Sequence, residues 1–462
     1  MIGYVLLGAA FIALLFILPL IAQYGLSETE MNSAVGSYHL GMDGFLKGDL
    51  VDLPYRALQK ISIMIFGLTP YAIKLPSILI GLLFGLMLIL LLNRWFKSNV
   101  SLLASCLVVL STPFLFLAGS GTPLIMIVFW PTLLLWLGSK IQGEKRPKPM
   151  YCFLFAIALL LSIFTPGMIY FAVFCVLFVL FQPHLRFVVK RLPKLPLTLV
   201  GLIVVGGIAS LVVNIINYPD TILGLLLMKD FQLGNFFQNI GFGLTPLFSW
   251  TSEVKSVFLA PLISLPTLTL ALIGLFSTTK GFFASRNSIA SLLLLFTVII
   301  TGLDPDAIIF FILPFAILVA HGLKYLLEKW YGLFPENPYA RVAAILPLSI
   351  LFAAMLIPSL LQYVYGYRYN PSVANEFKYD LNIIHKNLSD ETLLVSENYD
   401  FYKILEDSTE LKVVSEISEI APDKLAVLYG LNTSDKYQLS RIITSPMREN
   451  SAIIHLYTVK GE

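Results

Sequence analysis

Charge is what this 462-residue chain has least of: Asp, Glu, Lys and Arg make up 13% of it, about half the share found in soluble domains. Hydrophobic residues make up 57%, and the mean hydropathy is +0.82. The shortage of charge excludes an ordinary water-soluble protein, and repeated apolar runs of about 20 residues point to a polytopic membrane protein. Cysteine is scarce too. Cys106, Cys152 and Cys175 all fall inside apolar runs and read as small core hydrophobes, so no disulfide or metal framework is implied. A Gly-rich phosphate loop, a cluster of metal-ligand residues, an internal repeat and a low-complexity tract are all missing. The apolar runs hold almost no ionisable residue. That argues against an ion-coupled transporter, which needs carboxylates or bases at mid-membrane depth.

What the chain does have is a series of apolar runs, at 2–22, 72–93, 101–118, 123–139, 150–164, 167–182, 196–216, 257–277, 288–303, 307–325 and 342–362. By length they make about eleven spans. The fold class expected is an all-α polytopic membrane protein with a small external α/β domain at its C-terminal end. The first run has no basic residue before it and no clear small-residue cleavage site, so it reads as a retained span. The runs at 150–164 and 167–182 are short and meet at Thr165-Pro166-Gly167, which predicts a tight hairpin of tilted helices.

Lys and Arg concentrate in alternate loops. One set holds Arg94 and Lys97; Lys140, Lys145, Arg146 and Lys148; Arg186, Lys190, Arg191 and Lys194; Lys280 and Arg286; and Lys324, Lys329 and Arg341. The opposite set holds far fewer. The positive-inside rule makes the basic set cytoplasmic. The expected protein is therefore a multi-pass plasma-membrane protein with its N-terminus inside. The loops 23–71 and 217–256 and the tail after 362 lie outside. Topology alone accounts for the basic clusters, and nothing points to nucleic acid.

The membrane domain is expected over 1–362 and the external tail domain over 363–462. In the second loop, Phe236-Phe237, Phe242 and Phe248-Ser249-Trp250 suit a lipid–water boundary, with substrate contact as the sharper alternative. In the tail, Ser372 to Lys386 reads as a helix. Strands are expected at 392–396, 411–414, 425–429 and 452–459. His385 and His455 read as surface or packing residues.

Chemistry is expected at the outer surface, and the first loop supplies candidates. Glu28 and Glu30 lie two residues apart, about 200° around a helix, so only one could face a cleft if both were helical. A carboxylate beside an apolar wall can serve as a general base. Arg56, Lys60 and Lys74 could hold an anionic phosphate. Plainer readings stand beside these. Ser27 with Glu30 spells a capping box, and Arg56 with Lys60 fits an interfacial helix with snorkelling bases. Asp304 and Asp306 flank Pro305 in a short outer turn and suit either a helix cap or a site.

The run Phe66-Gly67 followed by Tyr71-Ala72-Ile73-Lys74-Leu75-Pro76-Ser77 resembles the start of the second span in membrane glycosyltransferases of the GT-C type. The nearest branch is the protein O-mannosyltransferase-like and aminoarabinose-transferase-like one. Lys74 stands where an Arg is usual. Glu28-Thr29-Glu30 takes the place of the family's early acidic motif, and Phe310-Phe311-Ile312-Leu313-Pro314-Phe315 resembles its late aromatic–Leu-Pro segment.

The resemblance implies transfer of a sugar from a polyprenyl-phosphate donor to a protein, lipid or glycan acceptor at the outer face. Glu30 or Glu28 would act as the catalytic carboxylate, with Glu30 preferred. Arg56, Lys60 or Lys74 would bind phosphate. The chain departs from the pattern at Asp52-Leu53-Pro54, where a Pro-Pro stretch is usual. It departs again at Gly119-Ser120-Gly121-Thr122-Pro123, where many members carry an acid, and at Asp304-Pro305-Asp306, where many carry a base. Asp304 or Asp306 could substitute, and the need for a divalent cation stays open. The rivals are a catalytically degenerate relative that binds lipid or assists assembly, a polysaccharide polymerase or ligase, and a transporter.

Overall fold

The computed structural model describes residue 17 and residues 25–41, 50–143, 149–190, 194–229, 231–248, 254–255, 258–259, 263–280, 284–333, 339, 343, 345–369, 376–388, 392–395, 398–407, 409, 411–415, 424–428, 437–444 and 453–459. The expected first span at 2–22 therefore lies outside the described residues, apart from residue 17.

Two short helices, α1 (Glu28–Tyr38) and α2 (Leu53–Phe66), occupy the first loop. Gly67 follows at φ 71°, a backbone region that favours glycine. Thr69 then accepts a hydrogen bond from Ala72 N–H, and Pro70 opens α3 (Pro70–Trp95). At 26 residues, α3 is about 39 Å long, enough to cross a bilayer.

The run expected as a span at 101–118 is broken. Helix α4 (Ser98–Val109) and helix α5 (Thr112–Gly119) meet at 65°, with Pro113 in the first turn of α5. Helices α6 (Ile125–Gly143), α7 (Pro149–Ser162) and α8 (Met168–Phe181) follow. The chain breaks between α7 and α8 at the expected Thr165-Pro166-Gly167, with Gly167 at φ 77° against the Phe310 ring, but α7 packs on α6 and on the helix Lys194–Asn217 rather than along α8 as the expected hairpin would. Helix α9 (Pro183–Lys190) leaves α8 at 97°. Then come α10 (Lys194–Asn217), α11 (Pro219–Leu225) and α12 (Phe236–Phe248). Ser249 and Trp250 of the expected aromatic belt fall outside the described residues.

The apolar run at 257–277 is not one helix. Phe258–Leu259 (β2) pairs antiparallel with Val254–Lys255 (β1), and α13 begins only at Leu265 (Leu265–Thr279), with Pro266 in its first turn. Helix α14 (Ser285–Thr301), a 3₁₀ turn (Pro305–Phe311), α15 (Ile312–Leu333) and α16 (Ile345–Tyr369) complete the helical part. Among the described residues, three stretches are long and apolar enough to cross a membrane, namely α3, α6 and Pro305–Leu333. The number becomes five if each bent pair counts as one.

The middle of the helical part is held by close backbone approach. A Cβ on Gly274 of α13 would stand 1.9 Å from the Leu318 carbonyl oxygen of α15, and one on Gly322 would stand 2.1 Å from Leu270 O. Only glycine lets the two helices meet there, the small-residue contact typical of membrane interiors.

The tail carries a five-stranded sheet in the order β4-β3-β5-β7-β6, formed by β3 (Thr392–Leu394), β4 (Lys412–Val414), β5 (Lys424–Leu428), β6 (Tyr437–Thr444) and β7 (Ile453–Val459). Strand β3 runs parallel to β4 and β5, while β7 is antiparallel to β5 and β6. Two short helices, α17 (Asp380–Asn387) and α18 (Tyr399–Lys403), accompany it. Of the expected helix from Ser372 to Lys386, residues 372–375 lie outside the described residues, and the described part begins only at Asp380 because Lys378 pairs with Leu26 as an isolated antiparallel bridge. One face of the sheet, with Leu393, Val413 and Ile454, joins a single apolar cluster with Met31, Ala34, Leu68 and Ile73. The tail is thus packed onto the first loop.

Candidate active site

Helix α1 begins where the capping box was expected. Ser27 N–H donates to Glu30 Oε2 at 2.8 Å, and Glu30 N–H donates to Ser27 Oγ at 3.3 Å. The box turns the Glu30 side chain back toward the helix start and leaves Glu28, one half-turn away, exposed. Glu30 is 1% exposed. Its other oxygen, Oε1, accepts from Lys74 Nζ at 2.8 Å and from Gly121 N–H at 2.6 Å. Lys74 lies in the second turn of α3, is 3% exposed, and has the Phe377 ring centre 5.6 Å from its Nζ.

A carboxylate with three donors is well satisfied for a buried charge, and the pair it makes with Lys74 neutralises both. With both oxygens engaged and the side chain buried, Glu30 does not face solvent where an acceptor would approach.

Gly121 sits in the turn after α5, and it is held on both sides of its peptide group. Its carbonyl accepts from Gln59 Nε2 at 2.9 Å. Gln59 is 0% exposed and uses its whole amide. Nε2 also donates to Ile73 O at 3.0 Å, while Oε1 accepts from Ser33 Oγ at 2.9 Å and Ser37 Oγ at 2.6 Å. One side chain thereby ties α1, α2, α3 and this turn together. A Cβ on Gly121 would stand 2.6 Å from the Ile73 side chain, so the turn approaches α3 only as glycine. Sequence reading missed Gln59. Its only signal was a polar residue on the face of α2 opposite the exposed Leu58, Ile61 and Ile65.

Beside this knot, Tyr55 Oη and Ser77 Oγ are 2.7 Å apart, and Ser77 Oγ donates to Thr122 O at 3.2 Å. Burial pushes the Tyr55 phenol far above its ordinary pKa, with the nearby Glu30 and Asp52 charges adding to the shift. Tyr55 therefore stays neutral at any working pH.

The remaining candidates each have neighbours of their own. Arg56 is half-buried, its guanidinium carbon 3.7 Å from where a Cβ on Gly36 would be. Lys60, also half-buried, donates from Nζ to Leu40 O. Asp304 caps the 3₁₀ turn by accepting from Asp306 N–H at 2.9 Å, as the plainer reading expected. Helix α12 packs across that turn, with Gly243 against Pro305 and Asn239 Nδ2 donating to Gly302 O at 3.2 Å. Near the turn, Ser111 and Pro113 at the α4–α5 bend, with Ile263, Ile308, Phe311 and Phe315, line an apolar cavity of about 20 Å³.

The structure thus brings Glu30 and Lys74 into contact, sets Arg56 near Gly36 and Lys60 on the Leu40 carbonyl, and places Asp304 and Asp306 in a separate turn. Among the described residues, no group of three or more His, Cys, Asp or Glu could hold a metal ion.

Residues 54–209 match the family model described as dolichyl-phosphate-mannose-protein mannosyltransferase. No curated protein matches the sequence. Among solved structures, ArnT from Cupriavidus metallidurans bound to undecaprenyl phosphate aligns with a TM-score of 0.59 at 13% identity, covering 99% of this chain and 98% of that one. The oligosaccharyltransferase of Archaeoglobus fulgidus in its apo form aligns with a TM-score of 0.53 at 11% identity, over 86% of this chain and 63% of that one. AglB of the same organism, in complex with an inhibitory peptide and a dolichol-phosphate, gives 0.51 at 12% identity, over 87% of this chain and 64% of that one. The chain spans less than two thirds of the length of the archaeal structures.

Proposed function

We propose that this chain, which has the fold of the GT-C type membrane glycosyltransferases, moves a sugar from a polyprenyl-phosphate carrier to a protein, lipid or glycan acceptor at the outer face of the membrane. The observation that carries the reading is the correspondence over nearly the full length of both chains with an undecaprenyl-phosphate-bound ArnT. In this reading the chain has about eleven spans, its N-terminus is cytoplasmic, and the first loop and tail domain are external.

The roles divide by burial. Glu28 is the exposed carboxylate of the first loop, free of the capping bonds that hold Glu30, and it assists the acceptor as base. Glu30 and Lys74 neutralise each other and position α1 against the outer turn. Arg56 and Lys60 offer positive charge to the phosphate of the donor. Displacement at the anomeric carbon then breaks its bond to the phosphate oxygen. The new bond forms to the acceptor heteroatom, whose proton goes to the carboxylate.

A second reading is favoured by one observation: the conspicuous first-loop acid and the family-motif base are spent on each other. A degenerate relative that binds carrier lipid without turnover would look the same.

Both readings are separated by offering polyprenyl-phosphate sugars to the protein in lipid discs, with a membrane extract as acceptor source. Turnover by wild type that falls at least about a hundredfold in Glu28→Gln, as expected for loss of a general base, supports the enzyme reading. Saturable donor binding with no turnover in wild type supports the non-catalytic one. Full turnover in Glu28→Gln removes Glu28 from the proposed role.

A further inference from the structure

Helix α9 turns sharply out of the line of α8. It departs from α8 at 97°. If α8 crosses the bilayer, α9 lies in the membrane plane. Helix α8 has only 14 residues, about 21 Å of rise against a hydrocarbon core of about 30 Å, so its end falls at interfacial depth rather than in water. The elbow is fixed: Gln182 N–H donates to Phe178 O at 3.0 Å, and Gln182 Nε2 donates to Ser288 Oγ of α14 at 3.0 Å. Leu185 packs toward the core.

The rest of α9 is turned outward. Phe187 is 51% and Val189 42% exposed, and Phe181 at the elbow is 79% exposed. His184, Arg186 and Lys190 are exposed on the same eight-residue helix. Arg186 and Lys190 are one turn apart and share an edge. In sequence the basic run continues with Arg191 and Lys194. Exposed aromatic and branched residues beside an edge of bases, on a helix in the membrane plane, match an anionic lipid surface in both charge and polarity.

We propose that α9 is a docking surface for the bilayer itself, Phe187 with Phe181 of the elbow entering the acyl boundary and Arg186 and Lys190 engaging anionic headgroups. This site lies on the face assigned as cytoplasmic by the basic loops, away from the first loop, and does not depend on the donor reading.

The test uses the full chain in discs of phosphatidylcholine, alone or mixed with phosphatidylglycerol. Phosphatidylglycerol carried over on extraction is counted for wild type, for Arg186→Gln with Lys190→Gln, and for Lys97→Gln with Lys140→Gln as a control for other bases of the same side. Each base near an anionic surface contributes on the order of a fivefold preference. The α9 pair is therefore expected to lose about 25-fold, the control pair far less, and added salt to erase the difference. Equal retention in all three, or equal loss in both variants, overturns the proposal.

A second measurement does not rely on those variants folding well. A nitroxide is placed at Phe187→Cys in a chain whose three native cysteines are alanine. It is expected to be more accessible to dissolved oxygen than to an aqueous nickel chelate. The reverse order places α9 in water and overturns the proposal.

Discussion

The knot around Glu30 and the glycine crossing of α13 with α15 are both places where backbone comes close to backbone, and they are held by opposite means. At the crossing, Gly274 and Gly322 admit the Leu318 and Leu270 carbonyls, and the contact is packing alone. At the knot, Gly121 admits Ile73, but the approach is held by a carboxylate and an amide that use their hydrogen-bonding capacity on neighbouring elements. Packing contacts in a membrane tolerate some sliding, since lipid is as apolar as the helices. A saturated polar knot has few alternative arrangements, because each one strands a buried donor or acceptor. The difference suits a scaffold whose middle must only be close, while the end that carries the first loop must be fixed.

The comparison breaks most sharply at Glu30. Replacing it with alanine leaves Lys74 as a buried unpaired cation and strands Gly121 N–H. It is expected to cost about 3–5 kcal/mol, read as a large fall in the unfolding midpoint in detergent. An unchanged midpoint would mean the knot is not closed. Next comes Gly121→Ala against Gly274→Ala. Each inserts a methyl group where there is no room, at about 1–3 kcal/mol. Gly121→Ala is expected to lower donor affinity as well as the midpoint, and Gly274→Ala the midpoint only. Equal effects on donor binding would erase the distinction between the two regions.

The smallest effect concerns the tail. Tyr38 Oη donates to Asp407 Oδ2 at 2.5 Å, and that hydrogen bond, with burial and the Asp407 charge, raises the phenol above its usual value. A raised folded value favours the protonated phenol. The contribution is therefore full below about pH 10 and is lost as pH rises past it. Tyr38→Phe is expected to lower the midpoint slightly at neutral pH, by no more than about 1 kcal/mol, and to match wild type at strongly alkaline pH. A gap that persists there would assign the effect to packing.

Much of this was legible in the chain, where the signal is local. The Ser27–Glu30 capping box and the Asp304 cap are short-range hydrogen bonds between residues two or three apart, and both are present. Four tail strands were readable from their apolar alternation. Strand β6 was not, because a register shift between Leu439 and Arg441 breaks its period of two. What could not be read is whatever joins distant positions. Lys74 finds Glu30 from 44 residues away. Gln59 reaches Gly121 across 62. Lys378 is drawn into a bridge with Leu26 against its local helical pattern. Nothing in composition marks a glycine as the one whose amide meets a carboxylate.

The link between first loop and tail also sets an order of assembly. Tyr38 and Asp407 are 369 positions apart, and Leu26 pairs with Lys378. A ribosome delivers the first loop early and its partners last, after every intervening helix has been threaded into the membrane. Until then Leu26, Met31 and Ala34 lack the apolar surface that later covers them. The first-loop end of this protein is therefore unfinished until the tail sheet has been made, and its closure requires that sheet to lie on the same side of the membrane as the first loop.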